Sequence, residues 1–325
     1  MPRLDTFAVL HEIPDAALAT LRSTFPAVRF IVGAPGDPLP DGIEDATAAA
    51  VTRYDGKALD ALLDHAPMLA WLQARGTGVE PLLTPKLKAS GVVLTNASGN
   101  HSINIAEHVL GMMLAFARQL PMLIVNQQAA RWVMPPTSSL FELSGQTLAI
   151  VGLGDIGRAV AVRAAAFGMT VVGVRRAAGG ELPPGVSRSM AMSDLDAVLA
   201  ESDHVLLTLP HTPETEGLFD AGRFAAMRRG AHFYNIGRGP TVDHVALADA
   251  LKTGQLGGAG LDVTEPEPLP AESPLWRDPN VIITAHSSGA TPRSFERYLP
   301  LLIDNLRRWQ HDDPLVNVVD LGKGY

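Results

Sequence analysis

Val151-Gly152-Leu153-Gly154-Asp155-Ile156-Gly157 is the stretch whose reading decides the fold. Leu148, Ala149 and Ile150 lead into it as an apolar run. Asp155 to Phe167 leaves it with helical spacing, and Met169 to Val174 reads as a second buried strand. Strand, Gly-x-Gly-x-x-Gly, helix and strand, in that order, form the context that a dinucleotide fingerprint requires. Gly152 permits the tight turn, Gly154 lets the backbone approach a pyrophosphate, and Gly157 lets the helix close on the strand. The helix start, with Asp155 and Ile156, offers unpaired N–H groups and partial positive charge to phosphate. The bland alternative is a strand-to-helix turn with no ligand, and the matching flanks weigh against it.

Working outward, the same alternation recurs on both sides. Upstream, strands are expected at Phe7–Leu10, Val28–Val32, Ala48–Thr52, Leu69–Gln73 and Val92–Thr95, with helices at Pro14–Thr24 and Lys57–Leu63 and a Pro/Gly-rich loop over 33–42. A long helix is expected from Ser102 to Leu120, stopped by Pro121, with Ile105, Val109, Met112, Met113 and Phe116 at helical spacing. Residues 131–140 read as an extended loop holding Trp132. Downstream, strands are expected at Val205–Leu209, His232–Ile236, Ala259–Val263 and Val281–Thr284, and helices at Leu195–Ala200, Ala221–Met227 and Val242–Lys252. A last helix, from Pro292 to Gln310, is expected to return to the first domain and make it discontinuous. The fold class is therefore α/β, with two doubly wound parallel-sheet domains.

Composition fits this and narrows the partners. A chain of 325 residues is long enough for two cores. Apolar residues make up 46% and charged residues 18%, the balance of a packed globular protein. The net charge of -8, with no basic block, argues against nucleic acid as the main partner. No cysteine is present, which excludes disulfides and thiolate chemistry. The histidines have no partners at metal-ligand spacing, so no metal site is expected. No apolar run reaches membrane-spanning length and the N-terminus lacks a signal-peptide core, so a soluble, cytoplasmic protein is expected.

The second strand after the glycines ends in Arg175-Arg176, where a site for NAD usually places an acid to accept from the ribose 2′-OH. Guanidinium groups match phosphate instead. NADP is the expected cofactor, with NAD possible; the alternative is two solvent-facing arginines that accept either. Three further polar residues follow apolar strands: Arg238 in Asn235-Ile236-Gly237-Arg238-Gly239, Glu267 in the proline-rich run from Asp262 to Pro270, and His286 in Thr284-Ala285-His286-Ser287-Ser288-Gly289. Hydride transfer to a 2-oxo acid needs a cation for the carboxylate and carbonyl, which suits Arg238. It needs a proton donor for the forming alkoxide, which suits His286. A carboxylate such as Glu267 favours the charged imidazole. Singly, each has a plain structural reading: a sheet-edge cap, a solvated loop acid, a core histidine.

Taken with Gly76-Thr77-Gly78-Val79 and Ala106-Glu107, these motifs resemble the D-isomer-specific 2-hydroxyacid dehydrogenase family, and within it the glyoxylate/hydroxypyruvate reductase branch. The resemblance covers nearly the whole chain. It implies a catalytic trio of Arg238, Glu267 and His286. It implies substrate binding at Gly76, Thr77 and Gly78, with Arg238 and His286. It further implies that Thr77, Leu209, Ile236, Gly237, Asp262, Ser288 and Gly289 join the glycine motif, Arg175 and Arg176 around the cofactor. By the same resemblance, residues 100–290 form a Rossmann domain inserted into a flavodoxin-like substrate domain of residues 1–99 and 291–325, and the protein is a homodimer. Glu80 stands where the family usually has Asp. Arg75 stands where a smaller residue is common, and either adds a cation to the substrate site or faces solvent. His101 is a further residue expected near the substrate, and Trp132 one that reaches a partner subunit; His108 reads as structural. Formate dehydrogenases of the superfamily carry Gln at the Glu267 position, so formate oxidation is not expected. The rival reading is a dinucleotide-sensing co-repressor on the same fold. Such proteins keep the trio but add terminal segments, whereas this chain ends at Tyr325, soon after its last helix.

Overall fold

The computed structural model of the chain describes residues 3–34, 38–52, 54–177 and 179–324. Of the loop expected over 33–42, residues 35–37 lie outside the described residues. The chain divides into two compact units, Met1–Asn100 with Thr291–Tyr325, and His101–Ala290.

The first unit holds strands β1 (Thr6–Leu10), β2 (Arg29–Gly33), β3 (Ala48–Val51), β4 (Trp71–Ala74) and β5 (Val93–Thr95), with helices α1 (Asp15–Thr24), α2 (Gly56–His65) and α3 (Pro85–Ser90) between them. The five strands are parallel in the order β2-β1-β3-β4-β5, the flavodoxin-like arrangement. Neighbouring residues of one strand serve opposite cores. Phe7 and Val9 pack on one face with Trp71, while Ala8 and Leu10 pack on the other with Leu59 and Leu62. The closing helix of the chain (Ser294–Gln310) belongs to this unit, and its Tyr298, Leu302, Leu306 and Trp309 line one face. Trp309 stacks on Trp71 at 5.6 Å, and the Trp71 indole donates to Thr95 Oγ1 at 2.8 Å, so the largest buried ring has its polar atom satisfied.

The second unit opens with α4 (Ser102–Ala117) and α5 (Leu120–Gln128). The sequence predicts one helix to Leu120; instead the chain breaks at Gln119, which adopts a left-handed φ of 53°. Pro121 is costly inside a helix but suits the first turn of one, so it starts α5 rather than simply ending α4. Then come β6 (Thr147–Val151), α6 (Asp155–Ala166), β7 (Thr170–Arg175), β8 (Arg188–Ala191), α7 (Leu195–Glu201), β9 (His204–Leu207), α8 (Ala221–Ala226), β10 (Ala231–Asn235), α9 (His244–Lys252), β11 (Leu256–Leu261) and β12 (Val281–Ile283). The closing helix is α10. The seven strands are parallel in the order β12-β11-β10-β9-β6-β7-β8. Strand order reverses between β6 and β9, which makes the carboxyl end of β6 the topological switch point. Ala149 and Val151 of β6 face one core, and Leu148 and Ile150 face the other, where α4 and α6 pack. Among the described residues no single helix is long and apolar enough to cross a membrane. No group of three His, Asp or Glu among them is placed to hold a metal ion.

Candidate active site

The glycine motif occupies the switch point. Gly152 has φ 109°, a value that strains any residue with a Cβ, and a Cβ there would stand 2.7 Å from Thr208 Oγ1. Thr208 instead donates to the Gly152 carbonyl at 2.6 Å, and Leu209 lies beside it, so the end of β9 braces the turn. A Cβ on Gly157 would strike the Gly152 carbonyl oxygen, so α6 sits as close to β6 as backbone permits. Gly154, which caps α6, is different: a Cβ there meets nothing within 4 Å. Two of the glycines are thus explained by packing, and the third borders open space in front of a helix N-terminus. That is the cradle a pyrophosphate needs.

Arg175 and Arg176 follow at the end of β7. The Arg175 Nε and Nη2 atoms are buried, and neither has a hydrogen-bond partner among the described residues. An unmet buried guanidinium is costly, and an anion satisfies it. The Arg176 charge reaches the exposed Glu214, in the loop after β9. The Glu214 carboxyl is held below its usual range chiefly by the Thr212 hydroxyl, with Arg176 adding to the effect. The two arginines are therefore not equivalent, a difference invisible in the sequence.

On the other half of the sheet, His286 and Glu267 meet: His286 Nδ1 lies 2.9 Å from Glu267 Oε2. The other Glu267 oxygen accepts from the Thr264 backbone N–H at 3.0 Å, which fixes the carboxylate. The His286 side chain is 55% exposed, so its second ring nitrogen is open to a reactant. Ala285 and His286 both adopt left-handed φ values, 45° and 53°. Two such residues in a row are strained and persist only when neighbours hold them. Asp262 does so: its carboxylate accepts from Thr284 Oγ1 at 2.7 Å, from the N–H groups of Ser287 and Ser288 at 2.9 and 3.1 Å, and from the Ser288 hydroxyl. The Asp262 carbonyl takes the His286 N–H at 2.6 Å.

Arg238 is set by the strand before it. Asn235 Oδ1 accepts the Gly237 N–H at 3.0 Å, while Asn235 Nδ2 and Thr241 Oγ1 donate to the Arg238 carbonyl at 3.0 and 2.6 Å. The Arg238 guanidinium folds back on the Gly237 carbonyl at 2.7 Å. Ile236 beside it is core, and Gly289 lies near His101.

His108, read from the sequence as structural, braces the His286 loop; Asn104 is a brace that sequence reasoning missed. His108 and Asn104 lie on one face of α4. His108 Nε2 is 2.9 Å from Thr284 Oγ1, and because Thr284 donates its proton to Asp262, the imidazole must be the donor. Asn104 donates to the Ser288 carbonyl at 2.7 Å. The signal was present as two polar residues four apart on a largely apolar helix, but only tertiary structure shows what they touch. Asn235 and Thr241 were missed in the same way.

In the first unit, the Arg75–Gly78 loop follows β4. Asn96 donates to the Thr77 carbonyl and Ala97 to the Gly76 carbonyl, both at 3.0 Å. With the carbonyls so engaged, the N–H groups of Thr77 and Gly78 donate to no acceptor among the described residues. A cavity of about 140 Å³ adjoins them, lined by Val51, Tyr54, Ala74, Gly76, Gly78 and Leu82 among others.

Residues 110–288 match the family model for the NAD-binding domain of D-isomer-specific 2-hydroxyacid dehydrogenases. The chain is 34% identical over 300 residues to glyoxylate/hydroxypyruvate reductase B of Escherichia fergusonii, covering 91% of each protein. It is 29% identical over 98% of its length to D-3-phosphoglycerate dehydrogenase of Methanocaldococcus jannaschii, of which it spans only 57%. In structure it resembles an NADPH-dependent glyoxylate/hydroxypyruvate reductase from Sinorhizobium meliloti, solved with NADP and sulfate. The TM-score is 0.83 at 30% identity, covering 99% of this chain and all of the other.

Proposed function

The chain belongs to the D-isomer-specific 2-hydroxyacid dehydrogenase family, and from that premise we propose that it reduces a small 2-oxo acid of the glyoxylate or hydroxypyruvate type to the D-2-hydroxy acid with NADPH. The observation that carries the reading is the His286–Glu267 pair at 2.9 Å, beside a sheet whose switch point holds the glycine motif. Bound NADPH supplies the hydride. Gly152, Gly154 and Gly157, with the N-terminus of α6, hold its pyrophosphate, and Asp262, Ser288, Gly289 and the Ile236–Gly237 backbone flank the nicotinamide end. Arg175 takes the 2′-phosphate: its orphaned buried nitrogens call for an anion.

The chain's own residues then divide the remaining work. The Thr77 and Gly78 amides take the substrate carboxylate, as their unmet N–H groups suit. Arg238 orients the acid and polarises the carbonyl. His286 delivers a proton to the carbonyl oxygen as it becomes an alkoxide, and Glu267 keeps the imidazole oriented on Nδ1 and balances its charge. Asp262, Thr284 and His108 position the His286 backbone. The D-3-phosphoglycerate dehydrogenase relatives leave the side chain at substrate C3 as the open variable. The homodimer attaches to α5 and the segment after it. There Trp132, Val133 and Met134 line a groove of about 730 Å³, and Ile124 and Val125 are exposed on α5 beside it in sequence, apolar surface that a second copy would cover.

The test is steady-state kcat/KM for glyoxylate, hydroxypyruvate, pyruvate and phenylpyruvate, each with NADPH and NADH. Turnover of the small acids with NADPH supports the reading. NADPH binding without turnover of any acid refutes it and favours the co-repressor alternative.

A further inference from the structure

Arg75 leaves the carboxyl end of β4 one residue before Gly76. Its guanidinium carbon lies 5.2 Å from the centre of the Phe295 ring, and Nη2 donates to Ser294 Oγ at 3.3 Å. Both partners open α10, so the side chain is aimed by packing and a hydrogen bond rather than left loose in solvent. None of the ion pairs formed by the described residues of this unit includes it.

His11 and Tyr298, which both feel the Arg75 charge, are neutral. His11, at the end of β1 on the same sheet edge, is fully buried and packs edge-on against Tyr298, with ring centres 5.6 Å apart. Its Nδ1 donates to the Glu12 carbonyl at 2.8 Å, which leaves Nε2 without a partner. Tyr298 Oη, also fully buried, has none either. Burial first, and the nearby Arg75 charge as well, push the His11 pKa down to about 4, so the ring carries no charge near neutrality. Burial raises the Tyr298 hydroxyl, so it stays protonated. A half-buried guanidinium thus stands at the ligand-binding edge of a parallel sheet with an aromatic wall, two unmet neutral polar atoms and no ion-pair partner among the described residues. Guanidinium presents paired donors that match carboxylate or phosphate, and a cation held out of water without a partner gains most from an anion.

The span also fits. Arg75 and Thr77 are two residues apart, at most about 7 Å between Cα atoms. A substrate whose first carboxylate rests on the Thr77 and Gly78 amides and whose far end carries another anion two or three carbons away covers such a distance. We infer that Arg75 is the specificity residue for a second anionic group, and that the preferred substrate is a small 2-oxo acid charged at both ends. This rests on the reductase reading and shifts its preferred substrate from the singly charged glyoxylate and hydroxypyruvate to a doubly charged analogue.

The experiment compares matched pairs with NADPH: oxaloacetate against 2-oxobutanoate, 2-oxoglutarate against 2-oxopentanoate, and 3-phosphohydroxypyruvate against hydroxypyruvate. The wild type should prefer the doubly charged member of at least one pair by more than about tenfold in kcat/KM. The pair that responds tells carboxylate from phosphate. Arg75→Met should abolish that preference and Arg75→Lys restore part of it. Equal ratios in wild type and Arg75→Met overturn the inference and leave the reductase reading standing. Calorimetric titration of D-malate against D-2-hydroxybutanoate, with the folded variants checked by thermal unfolding, reads the subsite without turnover. Arg75-dependent binding of malate without reduction of any acid upholds the subsite and sinks the reductase reading.

Discussion

Gly154 and Gly157 stand three residues apart in one turn, yet a methyl group added to each should have opposite consequences. At Gly157 the new carbon drives into the Gly152 carbonyl oxygen and comes within 3.1 Å of Ile150 Cγ2. Neither can retreat without moving the turn. Overpacking of this kind costs ~1–3 kcal/mol, offset by about 1 kcal/mol of helix propensity. The net loss is then up to about 2 kcal/mol; for a unit of this size each kcal/mol moves the transition by ~2–4 °C, so Gly157→Ala should lower Tm by up to about 8 °C. At Gly154 the carbon meets nothing within 4 Å, and the φ of -72° is ordinary for alanine. The weaker cap and the stiffer unfolded chain nearly cancel, leaving stability within about 1 kcal/mol of wild type. With cofactor the order reverses, because the Gly154 methyl fills the space the phosphates require. The same ~1–3 kcal/mol then appears as roughly 5- to 150-fold weaker NADPH binding. Thermal unfolding without cofactor and a fluorescence titration with NADPH read the two effects separately. If Gly154→Ala binds NADPH as tightly as the wild type, or melts as early as Gly157→Ala, the assignment of the open cradle is wrong.

Three other outcomes are expected. His286→Asn should lower kcat by about a hundredfold or more while the NADPH dissociation constant stays put; a matched loss of both would point to a disturbed fold rather than a missing acid. Arg175→Asp with Arg176→Ala should cut the kcat/KM preference for NADPH over NADH by at least about tenfold, with Arg175→Ala alone giving most of the effect; an unchanged preference would remove Arg175 from the phosphate site. Burial holds His11, His204 and His232 neutral, with pKa values lowered from 6.5 to about 4, 3 and 4, so the unfolded chain takes up protons that the folded chain refuses. Their stabilising effect is complete above pH 6.5 and lost as pH falls toward those values, by about 2 kcal/mol per histidine at pH 5; denaturant midpoints equal at pH 7.5 and 5 would contradict this.

The fold class was legible because its signals are local. The apolar run of β6, the glycines and the amphipathic α6 lie within twenty residues, and each has a period or a turn chemistry of its own. Strand β8 escaped because Arg188–Ala191 is a half-exposed edge strand with no apolar run to mark it. The break between α4 and α5 escaped because Pro121 carries the same letter whether it ends one helix or begins another. The candidate trio stood out by residue type and order, but its supports did not. That His108 reaches Thr284, or that Arg175 is left unmet while Arg176 feels Glu214, depends on side chains brought together from strands far apart in sequence.

The closeness of Gly289 to His101 has a consequence for how the chain assembles. A Cβ at Gly289 would stand 3.9 Å from the His101 ring, so the point where the chain enters the second unit lies beside the point where it leaves. Bringing the ends of a flexible segment of that length together costs on the order of 4–5 kcal/mol in chain entropy. Once the second unit has folded, that closure is already made. To the first unit the inserted segment then behaves as a short staple, and α10, some two hundred residues downstream of β5, joins β1 and β4 as though it were a near neighbour in sequence.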